Sequence, residues 1–151
     1  MPRPVDIKAL LEAGRWAPSG LNNQPWRFMV IKSAEQREVL AGMTHYGKIV
    51  KSAPVAIAVF LDLEESYNRD KDLMAVGACI QNMLLVAHAR GLGACWLGEI
   101  LNRKEKASDL LRPGPHLELM ALISVGIPKK KKLAGKRKNL DALTVKGRGC
   151  R

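Results

Sequence analysis

Aromatic side chains are scarce in this chain, at 5% of 151 residues. They are also scattered, which argues against an interleaved basic and aromatic platform for nucleic acid, so no nucleic-acid partner is expected. Cysteine is limited to Cys79, Cys95 and Cys150. The number is odd and no pair has metal-ligand spacing, so neither a disulfide frame nor a metal site is implied, and free thiols in a reducing compartment are expected. The N-terminus carries no apolar run of signal-peptide type; Arg3, Asp6 and Lys8 crowd there instead. A soluble cytoplasmic protein is the expectation. Acidic residues are also short, 14 against 25 Lys and Arg for a net charge of +11. The deficit is local. Residues 129–151 hold ten Lys/Arg against Asp141 alone, and residues 1–128 are close to neutral with 15 basic and 13 acidic side chains.

What is present suffices for a packed core. With 47% hydrophobic content the chain reads as one domain over 1–128, with 129–151 as a basic arm of that same domain. Ile7, Leu10, Leu11 and Ala13 recur at helical spacing, so a helix is expected over Asp6–Trp16 with Asp6 as its cap. Phe28–Ile31 has strand composition, and Ser33 with Gln36 has capping-box spacing for a helix ending near Ala41 and Gly42. A further short helix is expected at His45–Lys51. Pro54–Leu61 is a continuous apolar run of the kind buried on both sheet faces. Asp62–Asp72 reads as its polar, mobile exit. Leu73–Arg90 is apolar nearly all round as a helix, so it belongs in a core or across a dimer interface, and Gln81, Asn82 and His88 argue against a membrane span.

Gly91, Gly93 and Gly98 invite a dinucleotide-fold reading, but that motif follows a strand and opens a helix, whereas these follow a helix. Gly91 is instead expected to cap the helix, Leu92–Leu97 to form a strand, and Gly98 to let backbone approach a ligand. Asn102 and Glu105 are expected to start a helix that Pro113 stops. Leu119–Val125 reads as another strand, and Leu143–Val145 as a short extended piece of the arm.

The stretch Ala17–Trp26 (Ala, Pro, Ser, Gly, Leu, Asn, Asn, Gln, Pro, Trp) is the most informative. Pro18 and Pro25 favour extended geometry at Ala17 and Gln24, and Gly20 permits positive φ, so a bent, stiff loop is expected. Ser19, Asn22, Asn23 and Gln24 offer uncharged donors and acceptors that suit the edge of a planar heterocycle, and equally build an ordinary hydrogen-bonded turn. Arg137 is distinct among the arm cations because a guanidinium grips a phosphate through two hydrogen bonds.

With these pieces in order, the chain resembles the nitroreductase family of flavoproteins from about Pro4 to Leu140. The family's loop pattern is matched by Ala17, Pro18, Ser19, Asn22, Gln24, Pro25 and Trp26, backed by Gln81 and Asn82, the Gly91–Gly98 segment and Arg137. The resemblance implies an α+β fold, a mixed, largely antiparallel sheet flanked by helices, in an intertwined homodimer with FMN at the interface. It implies that Pro18, Ser19, Gly20, Asn22 and Gln24 line the flavin from one subunit while the other holds it. Trp96 and Leu97 would lie on a ring face, Gly98 would offer its N–H to flavin N5, Lys48 would stand at the pyrimidine edge, and Lys136 with Arg137 would hold the phosphate. The family's N-terminal arginine-x-serine-x-arginine segment is not matched; Pro4 and Val5 stand near its place and Arg3 alone remains.

The implied activity is reduction of electron-poor small molecules such as nitroaromatics or quinones by NADH or NADPH, in ping-pong fashion. The cofactor carries the chemistry, so no protein nucleophile is expected, and His88 and His116 are read as structural. A flavin-binding storage or sensing protein is the alternative, distinguished by bound FMN without NAD(P)H oxidation.

Overall fold

The apolar run after Pro54 becomes strand β2, Val55–Asp62, and all of its residues are buried. It lies inside a sheet ordered β1-β2-β4-β3, with β1 at Trp26–Ile31, β3 at Gly93–Leu97 and β4 at Leu117–Gly126. This computed structural model describes residues 1–129, 135–145 and 147. All three strand pairings among the described residues are antiparallel, the antiparallel part of the sheet expected.

Alternation along β2 divides the core. Val55, Ile57, Val59 and Leu61 face helices α1, Pro4–Arg15, and α4, Arg69–Ala89. Ala56, Ala58 and Phe60 face the opposite layer, made of α2 at Ala34–Ala41, α3 at Gly47–Ser52 and α5 at Lys104–Leu111. A sheet covered on both faces has no wet side, so its central strands carry no polar alternation. The register shifts once, where Val59 pairs with Ala121 but Phe60 with Leu119. Met120 is the extra residue of this bulge, and it points into the same cluster as Ala121.

Several helix ends fall where the sequence puts them. Ser33 Oγ accepts from Gln36 N at 3.2 Å to start α2, and Gly91, at φ +69°, closes α4 with its N–H on His88 O. Others differ. Helix α1 begins at Pro4, and Asp6 is its third residue rather than its cap. The Asp6 carboxylate accepts from Arg3 N, Nε and Nη2 at 3.2, 2.9 and 3.0 Å and from Arg90 Nη1 at 2.9 Å, pinning the start of α1 to the end of α4. Asn102 caps nothing: Gly98–Arg103 forms a 3-10 helix, α5 starts at Lys104, and Arg112 at φ +49° ends it just before Pro113. A 3-10 turn at Leu140–Leu143 takes in the first residue of the extended piece expected at Leu143–Val145; Thr144 is extended, and among the described residues no strand forms there.

Helix α4 also starts four residues earlier than expected, capped by Asn68, whose Oδ1 accepts from Lys71 N at 3.1 Å. It is long and apolar enough to cross a membrane, yet its inner stripe of Ala75, Val76, Cys79, Ile80, Met83 and Ala87 is core. Gly14 of α1 lets the two helices touch, since a Cβ there would sit 3.0 Å from Cys79 Sγ and 3.1 Å from Met83 Cγ. Burial within the chain is one-sided, because α1 and the sheet cover a single face, and of the two placements expected, core or dimer interface, the inner stripe takes the first. On the other face Met74 is 68% and Leu85 57% exposed. Residues 135–145 are exposed throughout, including Leu140 and Val145.

Candidate functional site

The loop from Ala17 to Pro25 is held in a conformation the prolines alone do not explain. Leu21, Asn22 and Gln24 have φ of 55°, 54° and 48°, a left-handed region that side chains with a Cβ seldom occupy. Gln24 therefore departs from the extended geometry expected before Pro25. Gly20 departs too, since its own φ lies outside the left-handed region. Glycine is required there for space: a Cβ would fall 1.7 Å from Tyr67 Oη.

Internal bonds hold the turn. Ser19 Oγ accepts from Gln24 N at 3.0 Å, and Gln24 Nε2 donates to Asn22 O at 3.1 Å. Anchoring comes from Asn23, whose Nδ2 donates to Glu65 O and to Asp72 Oδ1, both at 2.8 Å. Asp72 is fully buried. Its Oδ2 accepts from Ser66 Oγ at 2.7 Å and from the N–H groups of Tyr67 and Asn68 at 3.1 Å. Burial pushes this carboxyl up, and the hydrogen bonds from Ser66, Asn23, Asn68 and Tyr67 more than reverse that, leaving it below its ordinary value. The polar exit expected as a mobile connection is thus tied to a buried acid at its far end. Tyr67 lies over Gly20 with Lys71 Nζ 5.4 Å from its ring centre.

A second group of candidate residues gathers elsewhere. Trp96 is 44% exposed at the end of β3 and lies beside Gly77 of α4, where a Cβ would be 3.9 Å from its ring. Leu97 is 3% exposed and packs into the α2, α3 and α5 layer, so its side chain offers no open face to a ring. Gly98 is exposed and opens the 3-10 helix, whose first N–H groups lack intrahelical acceptors. Next to it, Glu99 ties this turn to the segment before α3. Its Oε2 accepts from Thr44 Oγ1 and, at 3.0 Å, from His45 N, and its Oε1 accepts from Asn102 Nδ2 at 3.3 Å. These bonds, led by Thr44, hold its carboxyl below the usual range. The link ties the segment before α3, whose first turn carries exposed Lys48, to the turn that Gly98 opens.

Lys136 and Arg137 join neither group. Both are exposed, and Arg137 Nη1 donates to Lys136 O at 2.8 Å. The lysines at 130–132 lie outside the described residues. Among those described, no hydrogen bond joins the loop to Trp96–Gly98 or to Lys48; the loop bonds to 63–72 and Glu99 to 44–45. Pro18 is exposed, Ser19 and Gly20 are half-buried, and Asn22 and Gln24 are exposed. Gln24 also lines a cleft of about 340 Å³ with Lys8, Leu11, Arg15 and Phe28. Asp62, Glu64 and His116 bring ligand atoms within 4.8 Å of one another, but Asp62 Oδ2 is taken by Arg27 Nη2 at 2.7 Å.

Sequence reasoning missed Asp72, Tyr67 and Glu99. Asp72 carried a signal, since it stands three and four residues before Ala75 and Val76 and so falls on the buried stripe of α4. Nothing local marks Tyr67 or Glu99.

A model of the Nitroreductase family matches residues 2–46 and 41–127. A protein of Archaeoglobus fulgidus under the name NADH dehydrogenase/NAD(P)H nitroreductase is 32% identical over 131 residues, 84% of this chain and 75% of its own length. One of the same name from Methanothermobacter thermautotrophicus is 33% identical over 124 residues, with 81% of this chain and 65% of the relative covered. Among solved structures, a nitroreductase from Desulfovibrio desulfuricans in complex with FMN is 46% identical with a TM-score of 0.91, over 97% of this chain and 86% of that one.

Proposed function

This chain belongs to the nitroreductase family, and on that premise we propose that it is an FMN-dependent oxidoreductase using NADH or NADPH to reduce electron-poor small molecules such as nitroaromatics or quinones. The observation that carries the reading is the loop, where uncharged Ser19 and Asn22 are presented on a turn fixed to buried Asp72. The donor set fits the polar edge of a planar heterocycle. Ser19 Oγ accepts from Gln24 N, so its O–H remains to donate, and no hydrogen bond uses the Asn22 amide group among the described residues.

When bound, FMN supplies the hydride chemistry between NAD(P)H and the acceptor. In this reading Gly98 would offer its N–H and Trp96 a flat apolar wall to the cofactor ring, while buried Leu97 would contribute backbone alone. Lys48 would supply positive charge for the negative charge that reduction develops. Arg137, with Lys136, would hold the phosphate. Nucleotide and acceptor use one open face in turn, which is the basis of the ping-pong expectation.

The two residue groups and the outlying arm meet most simply in a homodimer, the loop of one subunit facing the cofactor held mainly by the other. The exposed apolar face of α4, with Met74 and Leu85, supports such a partner. Residues 129–151 are then an arm of the same domain as 1–128, in a cytoplasmic setting that keeps Cys79 and Cys95 as thiols.

The test is the visible spectrum of the purified protein before and after NADH or NADPH without oxygen. A yellow protein that bleaches is expected. Yellow without bleaching favours flavin storage or sensing, and a protein colourless even with excess FMN refutes the flavin reading.

A further inference from the structure

A carboxylate buried without a cation is unusual, because an ion loses its hydration on burial and needs replacement bonds. Asp72 is such a group: none of the ion pairs among the described residues includes it. Four donors replace its water, and they come from two places. Ser66 Oγ and the N–H groups of Tyr67 and Asn68 approach Oδ2 from the segment entering α4. Asn23 Nδ2 approaches Oδ1 from the loop more than forty residues earlier. The division is functional in its effect. One oxygen shapes the α4 entry and so holds Tyr67 above Gly20, and the other clamps the left-handed turn that presents Ser19 and Asn22.

We propose that Asp72 is a positioning residue for the cofactor: it touches no ligand, and through Asn23 it holds the turn Leu21–Gln24 in the sparsely populated conformation that aims Ser19 and Asn22. The proposal rests on the flavin reading above for its ligand and on the hydrogen bonds alone for its mechanics. Cut at Asn23, the turn loses its bonds to Glu65 O and Asp72 and keeps those within 19–24 and one from Arg27, so Leu21, Asn22 and Gln24 relax out of the left-handed region. The loop then samples many conformations and binding carries the cost of reordering it.

Three variants separate clamping from general stability. Asn23→Ala removes the loop side of the clamp together with the bond to Glu65 O. Asp72→Asn leaves an acceptor for the α4 entry while withdrawing the charge from Asn23. Ser66→Ala removes a bond of similar length on the Oδ2 side and leaves the clamp. FMN affinity is read by quenching of its fluorescence, stability by the melting temperature of the apoprotein, and loop order by hydrogen exchange at the amides of Asn22, Asn23 and Gln24.

The expected result is FMN affinity roughly tenfold weaker in N23A and in D72N, with the double variant no weaker than N23A, because the Asn23 side chain carries the whole link to Asp72. Exchange at the three amides rises in each, while β2 is unchanged. S66A lowers the melting temperature with wild-type affinity and loop exchange. Wild-type affinity and exchange in N23A overturn the proposal, as does an S66A variant that weakens FMN as much as N23A. If the wild-type protein binds no FMN, the flavin reading falls, and loop exchange in N23A decides the clamp by itself.

Discussion

Gly20→Ala is the sharpest single perturbation of the loop, because it adds one carbon where Tyr67 already stands. The new Cβ would lie 1.7 Å from Oη, 2.6 Å from Cζ and 3.0 Å from Cε1, so the ring must move. It has room to do so, being 41% exposed, and moving it forfeits the contact with Lys71. Overpacking a closed core costs more, but here the atoms met are the outer end of an exposed ring, and about 1 kcal/mol is expected. Against it stands a gain of about 0.7 kcal/mol from restricting the unfolded chain, available because the φ of Gly20 is one that alanine tolerates. The net expectation is about 0.3 kcal/mol of destabilisation. In a Tyr67→Ala background the clash is gone and G20A stabilises by about 0.7 kcal/mol, which makes the coupling about 1 kcal/mol. Urea denaturation of the four proteins measures it. Equal destabilisation by G20A in both backgrounds would refute the account of this glycine as a matter of space.

Three further outcomes follow from groups already located. Hydrogen bonds from Arg69, at 2.7 and 3.0 Å, lead the forces that hold the Glu118 carboxyl at about 2. A carboxyl lowered in the folded state stabilises above its ordinary value and loses that contribution as pH falls towards 2. The melting-temperature gap between wild type and E118Q is therefore full at pH 6 and closed near pH 2. Arg137→Ala weakens FMN binding about tenfold or more in a fluorescence titration; an unchanged apoprotein melting temperature accompanies it, because the arm lies exposed. Burial pushes the Cys79 thiol up to about 12, so alkylation mapped by mass spectrometry at pH 8 finds Cys79 modified only after unfolding.

The parts of the fold legible in sequence are those set by neighbours in the chain. Ser33 with Gln36, Gly91 after a helix, and the run Val55–Leu61 each announce their role within a few residues. What sequence hid depends on distant partners. The spacing of Asp72 from Ala75 and Val76 marks it as inward-facing but not that Asn23 is its partner, and Asp6 reads as a cap until Arg90 reaches it from the end of α4. The glycine of the loop was legible as special, but for the wrong reason: the positive φ falls on Leu21, Asn22 and Gln24, and Tyr67 excludes a Cβ at Gly20. The loop motif was legible as a bent turn held by its own hydrogen bonds. The link from Glu99 to the segment before Lys48 was beyond any local pattern, since Thr44 and Glu99 are 55 residues apart.

The pairing of β2 with β4 governs how the chain is made as well as how it stands. Val59 waits for Ala121, about sixty residues downstream, so the centre of the sheet closes only when nearly the whole domain has left the ribosome. At some 5–20 residues per second, the edge of β2 that takes β4 stays unpaired for several seconds. That interval makes the nascent chain a natural client for chaperones, and it makes substitutions in β4 more damaging to yield in the cell than to the stability of the finished protein.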